Sequence, residues 1–506
     1  MGTLIKKNPI TILYLIILGT LVFRGALIFS IPGYLGVDGG AYLIGVNSVL
    51  GDEPTNQGFP RPPLAPGWLL VPFIEFFGID YGYKIWTLIF SVTPLPVVYL
   101  LSRKILSPGN SLLTTIFIAL DPFHAEMIAT GVLPMISMSL YVVMIWGIID
   151  LVENRLKTRN LIALIFPLAL IPFINQTTAG ITLVILPIIF GYVILNGYFD
   201  FWNKFDFKKY SALFLCLLVG GIISLFALPW YLKVLPVTGL MSYPGAFIYL
   251  ATDGVAWGTF ILCVPLGIFL LKKTDNLAIK IVGIHILIMG ILSIFMSYDE
   301  TVINIFYRSR YFHRFFWIIG FTWFVVQLAP GDLFGITEGK NLIKKTIPGF
   351  AFVMAILILP LMFSWNFLNQ AKISETLSPD SVQALEVINE TNHSNIISNS
   401  FTMSLWIAGL EKVKSPHVWT TKPPPTFIEN DEHTRCILNW VKDCNYSDSI
   451  QSLGVSHVLI ETRFPYYNEM AVGNYLAPDN QWEITDNAPW LNLIYKKGSV
   501  RLYKVQ

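Results

Sequence analysis

Asp38 stands in Leu35-Gly36-Val37-Asp38-Gly39-Gly40-Ala41-Tyr42, just past the first apolar run of the chain. A carboxylate where a membrane helix meets water can take a proton from an acceptor hydroxyl or amide, or hold a divalent cation. The flanking glycines let a substrate approach the backbone, and Tyr42 follows close behind. The plain alternative is a helix cap or loop carboxylate with no chemical part. Two other stretches carry groups that could join it. Asp121-Pro122-Phe123-His124-Ala125-Glu126 offers Asp121 or Glu126 as a second acidic group for an acceptor or metal, or else polar residues ending a span. His124 and Glu126 lie two apart and share no helical face, so at most part of the trio serves one site. Tyr307-Arg308-Ser309-Arg310-Tyr311-Phe312-His313-Arg314 holds three arginines, and Arg310 and Arg314 fall on one face if a helix begins there. Guanidinium forks at that spacing can clamp a lipid phosphate and stabilise the charge that develops as it leaves. Headgroup anchoring is the other reading. Lys233 and Arg61 are weaker candidates for the same anion.

The elements that must position these groups follow from composition. Of 506 residues, 54% are hydrophobic and 13% charged, where a soluble protein carries about 25% charged residues. Apolar runs approaching ~20 residues recur, long enough to cross the hydrocarbon, and lipid allows only helices there for an open chain. Spans are expected near 9–31, 83–101, 110–128, 132–151, 161–174, 177–196, 211–231, 255–271, 277–297, 311–329 and 346–365. Segment 66–79 is short and Pro-flanked, hence re-entrant or interfacial. The run after Lys7 lacks a small-residue cleavage site and contains Arg24, so it is expected to stay as the first span. Arg24 needs a partner that the sequence does not name. His285, deep in a span, reads as a packing residue. A net charge of +2 with no basic stripe gives no sign of nucleic-acid binding.

Charge then orients the bundle. With the N-terminus cytoplasmic, inner loops hold Lys6 and Lys7; Arg103 and Lys104; Arg155, Lys157 and Arg159; Lys204, Lys208 and Lys209; Lys272 and Lys273; Lys340, Lys344 and Lys345. Each is basic, as the positive-inside rule requires. The outer side then collects the 32–82 loop, the Asp121 turn, Leu228-Pro229-Trp230-Tyr231-Leu232-Lys233 and the arginine cluster. Arginines on the disfavoured side point to an anionic ligand.

From about residue 368 the chain turns polar. Pro379 to Asn389 reads as a helix capped by Ser378, and 434–441 as another. Strands are expected at 395–398 and 455–460, with a hairpin from 491–495 and 500–504 around Lys496-Lys497-Gly498-Ser499. The expected architecture is a transmembrane domain over 1–367, its 32–82 loop carrying the site, and an extracytoplasmic α/β domain over 368–506. Cys436 and Cys444 can bond only if the helix ends before Cys444, since eight helical residues separate them by ~12 Å. Three sequons begin at Asn389, Asn392 and Asn445.

The external Asp38, the Pro62-Pro63-Leu64-Ala65-Pro66 stretch, Ala227-Leu228-Pro229-Trp230-Tyr231 leaving a span, and Arg310-Tyr311-Phe312 opening a late one together resemble the GT-C glycosyltransferases. The likeness covers residues 1 to about 330 and is nearest the protein O-mannosyltransferases and the bacterial aminoarabinose transferase. It implies a polyprenyl-phosphate-linked sugar as donor, a lipid, glycan or protein acceptor, and Asp38 as general base with inversion at the anomeric carbon. It also implies Arg308, Arg310, Arg314 and Lys233 near the donor phosphate, and Tyr42, Arg61 and His124 around the substrate. Gly39 stands where the protein mannosyltransferases have an acidic partner, and a Trp-Trp-Asp-Tyr-Gly motif is absent, against an oligosaccharyltransferase catalytic subunit. No permanent structural metal is expected, because no Cys/His spacing fits zinc; a divalent cation at the carboxylates stays open. The rival function is a transporter or flippase for lipid-linked sugars, although no internal repeat is visible. Cysteines introduced at positions 38 and 310 should both react with one membrane-impermeant reagent in intact cells. Opposite sidedness would rule out a shared pocket.

Overall fold

The structure, a computed structural model, describes residues 8–33, 35, 39–50, 64–153, 157–195, 256–295, 314–327, 358–368, 378–388, 396–398, 456–461 and 486–506, with the single positions 215, 218 and 222. The predicted span 211–231, the helix at 434–441, Cys436, Cys444 and the sequons lie outside the described residues, apart from those three positions.

The helices are α1 (Pro9–Ser30), α2 (Gly39–Leu50), α3 (Leu64–Phe77), α4 (Ile79–Ser91), α5 (Pro94–Ser102), α6 (Pro108–Ala119), α7 (Pro122–Thr130), α8 (Leu133–Glu153), α9 (Thr158–Ile174), α10 (Gln176–Leu195), α11 (Ala256–Lys273), α12 (Leu277–Phe295), α13 (Arg314–Gln327), α14 (Ile358–Leu368) and α15 (Pro379–Ile388). Pro9–Ser30, Ile79–Ser102 and Leu133–Glu153 are long and apolar enough to cross a membrane. Shorter apolar helices such as Thr158–Ile174 pack among them. The chain is a polytopic helical membrane protein with a small sheet domain at its C-terminal end.

Two expectations change. The 32–82 stretch is not simply a loop, because α2 and α3 form within it. In α2, Tyr42, Leu43 and Val46 recur at helical spacing and are all buried. The α3 helix has only 14 residues, about 21 Å of rise, and exposes Trp68, Phe76 and Phe77. Such a helix is too short to span, as its flanking prolines suggested. The predicted span 110–128 is likewise broken into α6 and α7. Pro122 lacks the N–H that would bond residue 118 and disfavours helical geometry at Asp121, so the helix stops there.

One end of the bundle is tied by ions. Lys104 Nζ reaches Asp150 Oδ1 at 2.5 Å and Glu153 at 3.0 Å, and Arg159 Nη2 donates to the other Asp150 oxygen at 2.8 Å. Asn276 Nδ2 donates to the Lys104 carbonyl. Turns after α5, α8 and α11 therefore meet at one end, and these are three of the basic loops that charge alone assigned to a common side.

The C-terminal sheet has four strands in the order β1-β2-β4-β3, from β1 (Ile396–Ser398), β2 (His457–Glu461), β3 (Leu491–Lys497) and β4 (Val500–Val505). β1 and β2 are parallel, and the other pairs are antiparallel. Gly498, at φ +54°, takes the left-handed conformation that the two-residue turn Gly498-Ser499 requires. Ser378 caps α15 by accepting from the Ser381 N–H at 3.0 Å. The expected helix, both strands and the hairpin all form here.

Helices α2 and α3 meet at bare backbone. A Cβ on Gly67 would lie 2.5 Å from the Gly45 carbonyl oxygen. Gly67→Ala should therefore destabilise the protein by about 1–3 kcal/mol. Gly19→Ala, with open space around it inside a helix, should not lower the melting temperature in detergent.

Candidate active site at a buried helix break

Two helix breaks, each beside a proline, leave backbone carbonyls unbonded inside the bundle. Pro94 follows the α4–α5 kink and strands the carbonyl of Ser91, because the Leu95 N–H bonds Val92 instead. Pro122 strands that of Ala119 and leaves Ile118 only a long 3.4 Å bond from the Asp121 N–H. A carbonyl without a donor is costly where water is absent, and side chains supply the donors. Arg24, almost wholly buried, donates from Nη1 to Ser91 and from Nη2 to Ala119 at 2.7 Å. His124 Nδ1 donates to Ile118 at 3.1 Å, and Asn366 Nδ2 to the Pro122 carbonyl. Both carbonyls met by Arg24 end helices, where the helix dipole also favours a cation. The Phe363 ring sits 5.2 Å from the guanidinium carbon. The partner Arg24 needs is thus backbone at two helix ends.

Asp121, 2% exposed, sits in the second break within electrostatic reach of Arg24. Its two oxygens receive a forked guanidinium from Arg314, the first residue of α13. Nε lies 3.2 Å from Oδ1 and 3.0 Å from Oδ2, and Nη2 lies 3.0 Å from Oδ1. Arg314 also lies 5.6 Å from the Trp317 ring. Two residues that the sequence assigned to separate tasks, acid and phosphate clamp, are in fact joined across 193 positions. His124 is buried beside them, with Nδ1 3.7 Å from Asp121 and its ring 4.8 Å from that of Phe315. Glu126 belongs to α7.

Tyr42 lies on α2 in an aromatic cluster, 6.3 Å from the Tyr83 ring and 5.7 Å from that of Trp86. Lys84, which sequence reasoning passed over, is buried and links Asp80 at 2.9 Å to the Ile31 carbonyl at 3.0 Å. The spacing Asp80–Lys84, one helical turn with acid first, could have signalled that pair. His285 is a satisfied packing residue: Tyr141 Oη lies 2.6 Å from Nε2, and Nδ1 donates to Ile281. Asp38, Arg61, Lys233, Arg308 and Arg310 lie outside the described residues. Asp38 immediately precedes α2, and Arg310 stands four residues before Arg314.

The described residues do not assemble a metal centre. Among them no group of three or more His, Cys, Asp or Glu side chains comes together. Both Asp121 oxygens already face a guanidinium, so a cation there would have to displace Arg314.

No family model matches the sequence, and no curated protein matches it either. Solved structures do match over 97% of the chain. The Archaeoglobus fulgidus oligosaccharyltransferase, determined with Zn and sulfate, aligns at 11% identity and a TM-score of 0.58 over 73% of its own length. ArnT from Cupriavidus metallidurans, bound to undecaprenyl phosphate, aligns at 11% identity and 0.54, over 97% of both chains. The chain has the GT-C fold. The mycobacterial arabinofuranosyltransferase AftD aligns at 12% identity and 0.58, with this chain spanning only 40% of it. These GT-C neighbours are glycosyltransferases, and at such identity the likeness speaks for the fold.

Within this GT-C fold, Asp121→Asn should be the more damaging half of the pair, since it strips the carboxylate from Arg24 and Arg314 together. A loss of about 3–5 kcal/mol is expected, read as a lowered unfolding midpoint in detergent. Arg314→Met, which leaves Asp121 beside Arg24, should cost less. Equal midpoints for Asp121→Asn and the parent would remove the pair from the list of structural supports.

Proposed function

We propose that this chain is a membrane glycosyltransferase that moves a sugar from a polyprenyl-phosphate carrier to an acceptor on the extracytoplasmic side. The GT-C fold over nearly the whole chain is the observation that carries this reading, because its neighbours include enzymes solved with undecaprenyl phosphate and dolichol phosphate. In this reading the N-terminus is cytoplasmic, residues 1–367 form the transmembrane catalytic domain, and 368–506 form an extracytoplasmic domain.

Asp38 takes the proton from the acceptor hydroxyl or amide as that atom attacks the anomeric carbon. The bond from that carbon to the phosphate oxygen breaks, the configuration inverts, and polyprenyl phosphate leaves with the extra negative charge. Arg308, Arg310 and Lys233 face that charge, with Arg314 fixed to Asp121 at the end of the same basic segment. Opposite charge placed where it develops stabilises the transition state more than the ground state. Tyr42, Arg61 and His124 border the substrate, and Glu126 is the remaining acid for acceptor positioning.

Purified protein incubated with radiolabelled polyprenyl phosphosugars and membrane acceptors should form a covalent labelled product. Asp38→Asn should abolish it, a loss of at least ~10²-fold, with expression and melting temperature intact. Normal turnover in Asp38→Asn would remove the base assignment. Movement of label across vesicles without covalent transfer would instead mark a flippase.

A further inference from the structure

Helix α2 has one side in each of two hydrophobic cores. Tyr42 and Val46, four residues apart and hence on one face, belong to the core of the membrane bundle. Leu43, 1% exposed, belongs instead to the core of the C-terminal sheet domain. There it packs in one cluster with Ala384 and Leu385 of α15, Ile396 of β1, Leu459 of β2 and Leu502 of β4. Ile74 and Ile79, from the neighbouring ends of α3 and α4, pack against the same cluster. The backbone contact of Gly67 on Gly45 closes a further side of α2. This helix is therefore wedged between the bundle and the tail, and it starts at Gly39, the residue after Asp38.

We propose that the C-terminal domain sets the placement of α2 for the transfer reaction, with Leu43 as the positioning residue through which it acts. This rests on Asp38 serving as the base. Asp38 is joined directly to the first residue of α2, and a general base must hold its geometry closely: a displacement of about 1 Å can cost on the order of 10²-fold in rate. A 12-residue helix is too short to hold itself in water, so α2 takes its placement from what grips it. The tail supplies the grip on the Leu43 side. In the proposed function donor binding falls to the arginine segment before α13 rather than to this contact.

The test uses the full-length protein and the most active among radiolabelled polyprenyl phosphomannose, phosphoglucose and phosphoarabinose. Leu43→Ala and, from the tail side, Leu385→Ala should each lower kcat at least ~10-fold with donor KM within about twofold. Leu43→Met should restore most of the rate. Lys497→Gln, which removes an exposed ion pair with Asp380 inside the tail, should behave as the parent. Amide exchange over residues 39–50 should quicken in Leu385→Ala while α8 stays protected. A folded Leu385→Ala protein with parental kcat, or a rise in donor KM alone, overturns the proposal. If Leu385→Ala loses the tail fold, Leu43→Ala decides, because it leaves the tail's own residues in place. Should the parent protein transfer no sugar, the glycosyltransferase reading fails by itself; unchanged exchange over 39–50 would then overturn the linkage separately.

Discussion

Backbone carbonyls that cannot reach water govern this molecule. Prolines at 94 and 122 interrupt helices inside an apolar bundle, and each interruption frees carbonyls that hydrocarbon cannot solvate. Arg24 answers two of them from a third helix, and His124 of α7 adds a second donor to the Ile118 carbonyl of α6. A cation brought in for that purpose then needs a counter-charge, and Asp121 lies beside it. Asp121 in turn draws in Arg314 and with it the start of α13. The chain of dependence runs from missing N–H groups to charges to the assembly of distant segments.

The buried charges of the bundle tie together segments that lie far apart along the chain. The Asp121–Arg314 fork fixes the first residue of α13 to the break between α6 and α7. Burial of such a pair gives little net stability, while loss of one partner is expensive. The pair joins the turn before α7 to the start of α13 across 193 positions. The ion cluster around Asp150 does the corresponding work at a separate set of loops.

Spans were legible in the sequence because hydrocarbon thickness demands little more than a sufficient run of apolar residues. The tail helix and hairpin were legible because their signals are local: Ser378 with Pro379, and Gly498 between alternating strands. The position of the Asp121 break along the chain was visible as Asp-Pro, but its depth in the bundle was not, since depth is set by the helices around it. Arg24 was flagged as needing a partner, yet a carbonyl partner leaves no mark, because every residue has one. Asp121 and Arg314 were each singled out, but nothing in their types says that they meet each other. The α2 helix escaped notice because its apolar residues serve two cores and follow two glycines, so no single amphipathic stripe marks it.

The reach of Arg24 also has a consequence in time. Its acceptors, Ser91 and Ala119, lie 67 and 95 residues further along the chain. At a synthesis rate of about 5–20 residues per second, the second arrives roughly 5–20 s after Arg24 itself. Until Ser91 is made the first span holds a guanidinium with neither acceptor, and until Ala119 is made it has only one. Its retention must then rest on the surrounding leucines, isoleucines and valines, and both acceptors of Arg24 exist only once α6 has been translated.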